Sequence, residues 1–158
     1  MERDGQTDLL TELLSLSSMT LATTGLTGQP HAAPVYFAAH PTRTGDEAIP
    51  SLSFFFFSDP QSQHGKDLAQ DRRAAAAIYP ECQDWQEIRG LQMRGQVLEL
   101  KDESQWERAW KIYQQKFPFV AGMKEIVARN RLYAFIPDWL RLVDNRRGFG
   151  FKQEWRPR

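Results

Sequence analysis

Short apolar runs, each closed by glycine, proline or aspartate, recur along this chain, and the hairpin-like links between them favour an antiparallel barrel. Residues 19–23 and 31–38 read as two strands around Thr24-Gly25-Leu26-Thr27-Gly28-Gln29, a stretch rich in residues that tolerate positive φ. Pro34 has no N–H to give to a ladder, so the second strand belongs at an edge or a bulge. A polar loop is expected over 40–50. Residues 52–58 form the third strand, and the run Phe54-Phe55-Phe56-Phe57 predicts burial on both faces. A fourth strand is expected over 74–79, between Asp71-Arg72-Arg73 and Pro80. Residues 86–100 read as one long bent strand or two consecutive ones, with Gly90 and Gly95 at bends or close backbone approaches. Residues 132–136 and 139–143 are two late strands divided by Pro137-Asp138.

Helices flank this β content. Leu9, Leu10, Leu13, Leu14 and Leu16 share one face of a helix within 1–18, with Thr7 or Asp8 as its cap. A short helix over 62–70 should turn Leu68 and Ala69 inward. In 102–117 the spacing of Trp106, Trp110, Tyr113 and Phe117 makes one apolar stripe, and Asp102 with Gln105 resembles a capping box. A further helix over 120–129 completes a helical insertion, 102–129. The whole chain, 1–158, reads as one domain, mainly β with flanking helices, ending in an arginine- and glycine-rich tail over 144–158 that could cover a ligand or fray.

Composition narrows the function classes. Lys+Arg and Asp+Glu both number 20, so no whole-molecule basic field points to nucleic acid. The same neutrality permits self-association. Cys82 stands alone, which excludes an internal disulfide and a multi-cysteine zinc site. No apolar run is long enough to span a bilayer and no secretory leader opens the chain, so a cytoplasmic protein is expected.

The richest candidate for chemistry is Ser58-Asp59-Pro60-Gln61-Ser62-Gln63-His64-Gly65-Lys66, which leaves a buried strand, turns and enters a helix. A helix start presents unpaired N–H groups and partial positive charge to a phosphate, with Lys66, Arg72 and Arg73 nearby in sequence. The plainer alternative is that Ser62 is an N-cap and that His64 and Lys66 are solvated. Gln92, between Leu91 and Met93, can donate to and accept from a ring edge, or can simply face outward from its strand. Small residues and proline in 30–37 would let a flat ring lie against backbone. Absent G-x-G-x-x-G, P-loop and G-x-S-x-G motifs leave a bound cofactor as the simplest carrier of any chemistry.

These pieces, in this order, resemble the pyridoxamine 5′-phosphate oxidase-like FMN-binding split-barrel family, in its short bacterial branch. The resemblance runs from about Leu9 to Gly150. It is carried by Leu21-Ala22-Thr23-Thr24, the 30–37 strand, Phe56-Phe57-Ser58 with Ser62, His64 and Leu68, and Gly90-Leu91-Gln92 with Gly95. It implies a six-stranded antiparallel split β-barrel of Greek-key type, usually a homodimer with FMN at its interface. Ala33, Pro34, Val35 and Tyr36 would run beside the isoalloxazine ring. Phe57 and Ser58 would lie near the ring or ribityl chain, Ser62 and His64 would hold the phosphate with help from Lys66, and Gln92 would contact the flavin from either copy. Two departures stand out. His64 occupies the family's lysine position, and Ala32 and Ala33 stand where an arginine is often found. A C-terminal arginine–histidine pattern for pyridoxamine phosphate is also missing, which speaks against that substrate. The expectation is an FMN-dependent oxidoreductase of unknown substrate. The alternatives are a haem-binding or haem-utilisation barrel, with His31, His40 or His64 as ligand, and a cofactor-free dimeric interaction module.

Overall fold

Two strands separated by one residue lie at opposite ends of the same sheet. β2 (His31–Tyr36) and β3 (Ala38–Thr42) are joined by Phe37 alone. The remaining strands are β1 (Ser18–Thr23), β4 (Ser51–Ser58), β5 (Arg73–Ile78), β6 (Arg89–Glu99), β7 (Arg131–Asp144) and β8 (Lys152–Trp155). They are ordered β2-β1-β5-β6-β7-β4-β3, with β8 on β7, and every pairing is antiparallel. A single-residue link between the first and last strands of that path can exist only if the sheet curls until its ends meet. The computed structural model describes residues 2–42 and 51–157.

The class expected from sequence holds, an antiparallel barrel-like sheet with flanking helices, but the sheet has eight strands rather than six. The two extra strands come from segments expected to be irregular. His40 lies in β3 rather than in a loop, and the rest of that expected loop, 43–50, falls outside the described residues. The tail is not frayed: a turn at Asn145–Arg147 leads into β8, which pairs Trp155 with Leu140 and Lys152 with Val143. Pro137-Asp138 does not divide two strands either. β7 runs through them, and the register against β6 slips by one residue between Arg94 and Gly95. The slip is possible because position 95 is glycine: a Cβ there would sit 2.1 Å from the Ile136 carbonyl oxygen. The bulge absorbs the proline that cannot donate to a ladder.

Alternation along the strands sets the core. Leu52, Phe54 and Phe56 of β4 point inward, where they meet Leu21, Met93, Leu140 and the N-terminal helix α1 (Glu2–Leu14) through Leu9 and Leu13. Thr7 and Asp8 lie inside α1 rather than capping it. Phe57 points to the other side and is covered by α3 (Glu103–Lys116), touching Trp106, Trp110 and Tyr113. Burial on both faces of β4 therefore has two sources, the barrel interior and a helix. Asp102 caps α3, its carboxylate accepting the Gln105 N–H. Lys116, at the other end of α3, donates to the carbonyls of Leu14, the last residue of α1, and of Leu16 just beyond it, and its ammonium lies 3.8 Å from the Phe37 ring centroid. Beyond α3, a turn at Pro118–Gly122 leads to a short helix, Lys124–Arg129.

Candidate functional site

The segment after β4 turns by local chemistry. Asp59 accepts the Gln61 N–H on its side chain, an Asx turn, and Pro60 cannot continue the ladder. Ser62 then caps α2 (Gln63–Gln70): its hydroxyl donates to the Asp59 carbonyl at 2.6 Å and accepts the Gly65 N–H at 3.1 Å. Gly65 is dictated by packing, since a Cβ there would come within 2.6 Å of the Asp59 carbonyl oxygen. The helix is anchored from beneath by Asp67, which is buried and accepts from Thr23 Oγ1 at 2.8 Å and Gln63 Nε2 at 2.9 Å. Leu68 is buried as expected, whereas Ala69 is exposed.

This scaffold aims three side chains at one point. His64 Nε2 lies 2.7 Å from Ser58 Oγ and 3.2 Å from Ser62 Oγ. The single proton of Ser62 is already given to Asp59, so toward His64 the Ser62 oxygen can only accept, which fits the tautomer with its hydrogen on Nε2. Nε2–H can then serve both serine oxygens. In that tautomer Ser58, only 7% exposed, keeps its own hydroxyl proton for a ligand; in the other it donates to Nε2. The first two N–H groups of α2, on Gln63 and His64, also lie ahead of the capped one. His31, at the start of β2, stacks on His64 with ring centroids 6.4 Å apart and planes 11° from parallel. Burial and then the neighbouring His31 push the His64 imidazole below its ordinary value, with Asp67 opposing.

The other predicted residues are spread over three places. Lys66 is two positions from His64, about 200° around the helix, so the two side chains leave α2 on different sides. Lys66 lines a separate cleft of about 700 Å³ that none of Ser58, Ser62, His31 or His64 reaches. Along β2, Ala33 and Val35 share the inward face with His31, Val35 being core, while Pro34 and Tyr36 point outward. Tyr36 stacks on Phe117 at 5.4 Å. The registers put Pro34, Thr20, Ala77, Gln92 and Arg141 in one cross-strand row on the outer face. Pro34 and Gln92 are three strands apart in that row, about 14 Å by strand spacing. Phe57 is enclosed beneath α3. Sequence reasoning names His31 as a candidate haem ligand but misses its pairing with His64, and it misses the Asp67 anchor altogether. His31 shows its partner only once the sheet curls, and an acidic residue inside a short helix ordinarily reads as solvated.

Chemically, this arrangement offers hydroxyl, imidazole and helix N–H donors around a small space. That donor set fits a phosphate or another oxygen-rich anion.

A family model for pyridoxamine 5′-phosphate oxidase matches residues 7–143. A UPF0306 protein from Cronobacter sakazakii is 30% identical over 104 residues, covering 66% of this chain and 68% of that protein. A heme binding protein from Mycobacterium smegmatis superposes with a TM-score of 0.71 at 19% identity, over 99% of this chain and 58% of that one. HutZ, a heme storage protein from Vibrio cholerae, gives 0.64 at 11% identity, over 85% of this chain and 88% of that one. The two structural likenesses concern the fold.

Proposed function

Because the chain belongs to the pyridoxamine 5′-phosphate oxidase family, we propose that it is an FMN-binding flavoprotein, an oxidoreductase acting on a small molecule other than pyridoxamine phosphate. The observation that carries this reading is the convergence of Ser58, Ser62 and His64 at the start of α2, beside helix N–H groups ahead of the capped one. In this reading Ser58, His64 and the first N–H groups of α2 hold the phosphate, Ser62 joins them by turning its hydroxyl from the Asp59 carbonyl to the ligand, and His31 backs the imidazole. Bound FMN supplies hydride or electron transfer at its ring. The protein contributes position, hydrogen bonds and exclusion of water.

The same reading makes the protein a cytoplasmic homodimer. Ser58 lies on the inward side of the sheet, while Gln92, Pro34 and Tyr36 lie on the outer face. A flavin held at Ser58 meets Gln92 of its own chain only through the sheet, so a second copy is the route by which Gln92 and the outer β2 residues reach the ring. The outer row of Thr20, Ala77 and Pro34 is small enough for two sheets to approach closely.

The test begins with the absorbance of freshly purified protein and the flavin it releases on denaturation. His64→Ala should weaken FMN binding by about tenfold or more and leave riboflavin binding nearly unchanged, the scale expected for a charge-assisted hydrogen bond. Equal loss of both would remove His64 from the phosphate grip.

The His31–His64 pair favours one second reading. Two stacked imidazoles could offer an axial ligand to haem, and two structures of the same fold carry heme in their names. A Soret band on haem titration, shifted by His31→Ala or His64→Ala, would select it. Colourless protein that takes up neither cofactor would sink both readings and leave the interaction module.

A further inference from the structure

The cleft that Lys66 enters is formed by α2, the end of β6 and the start of β7. Four cations line it, Lys66, Arg72, Lys101 and Arg131, against a single carboxylate, Glu99. That excess occurs in a chain whose net charge is zero. Glu99 is already shared, lying 3.3 Å from Lys101 and 3.0 Å from Arg131. Lys66 and Arg72 have no ion-pair partner among the described residues. The walls are strand and helix, and their accessible apolar part comes from Pro60, Ala69 and Leu98. A volume of about 700 Å³ lies within the range of small-molecule sites and exceeds what inorganic phosphate fills.

We propose that this cleft is a second anion site, taking a small phosphate ester of about nucleotide size. Lys66 and Arg72 are free to meet the phosphate, and Arg131 can do so bidentately by exchanging its hold on Glu99. Pro60, Ala69 and Leu98 offer apolar surface to the rest of the ligand. A fold that concentrates like charge on a concave surface without pairing it leaves the field for a ligand of opposite sign to complete. The inference is independent of the flavin reading, since no residue of the Ser58–His64 cluster lines the cleft.

The experiment is calorimetric titration of the full-length protein, as purified, with AMP and with inorganic pyrophosphate, while released flavin is followed by fluorescence. Saturable binding of AMP without flavin release is expected, with pyrophosphate binding more weakly. Lys66→Ala with Arg72→Ala, both exposed positions, should weaken AMP binding by about tenfold. His64→Ala should leave it unchanged. Glu99→Gln should tighten it by about threefold, because Arg131 and Lys101 lose their internal competitor. Absence of saturable binding below about 10 mM overturns the proposal. So does binding that requires flavin displacement, binding lost in His64→Ala, or binding indifferent to the Lys66 and Arg72 substitutions. Failure of the flavin reading alone would appear as colourless protein that still binds AMP.

Discussion

At the scale of single residues, His64 sets the pH behaviour. Burial holds its imidazole below the ordinary value of 6.5, so the neutral form is favoured in the free protein. The sign for stability follows from linkage. As pH falls through the unfolded value, the unfolded chain binds the proton more readily, and stability contributed by neutral His64 is lost toward its lower folded value. A phosphate dianion beside the ring reverses this preference and draws a proton in. FMN affinity relative to riboflavin should therefore rise as pH is lowered from about 8 to about 6. Paired titrations across that range check it, and a flat ratio would count against His64 as the phosphate's partner. His64→Lys should flatten the ratio while preserving FMN affinity. Gly65 gives a second prediction: Gly65→Ala must displace the Asp59 and Pro60 carbonyls, 2.6 and 2.8 Å from the new Cβ. A cost of about 1–3 kcal/mol is expected, read as a lower denaturant midpoint.

At the scale of elements, two polar anchors hold helices to the sheet. Asp67 ties α2 to β1 through Thr23, both residues being buried. Asp67→Ala should cost about 2–4 kcal/mol, since it strands the Thr23 hydroxyl and releases the Gln63 side chain. It should also disturb His64, one turn away. Lys116 joins α3 to the end of α1, and burial lowers its ammonium to about 8. Its folded value lies below its unfolded one, so its contribution to stability should rise with pH from about 8 to the ordinary lysine value of 10.5. Lys116→Met should abolish that rise in thermal melts. These elements also show what a sequence discloses. α3 was legible because Trp106, Trp110, Tyr113 and Phe117 repeat at helical spacing and Asp102 caps them, both local signals. The continuity of β7 through Pro137-Asp138 was not. It depends on Gly95, more than forty residues earlier, letting another backbone come close.

At the scale of the whole molecule, the curled sheet separates an inward face that reaches Ser58 from an outer face carrying Pro34 and Gln92. Thr20→Arg, on the outer row, should yield a folded monomer by sedimentation and lower flavin retention, if the flavin sits between two copies. A dimer unaffected by that change would place the interface elsewhere. The site was partly legible for the same reason as the fold. Ser58, Ser62 and His64 lie close in sequence, so a turn and a cap suffice to gather them. His31 joins them from β2, 33 positions before His64, a distance no local pattern encodes.

β7 bonds β6 along one edge and, along the other, β4 over its first part and β8 over its last. It comes late in the chain, yet three strands depend on it. During synthesis, β4 and β6 emerge from the ribosome with open edges and wait for residues 131–144 before their ladders can close. Long-range pairing of this kind slows folding and leaves strand edges exposed meanwhile. Nascent chains stalled before Arg131 should therefore be cut readily by protease and retained by chaperones, whereas chains stalled once Trp155 has cleared the exit tunnel should resist both.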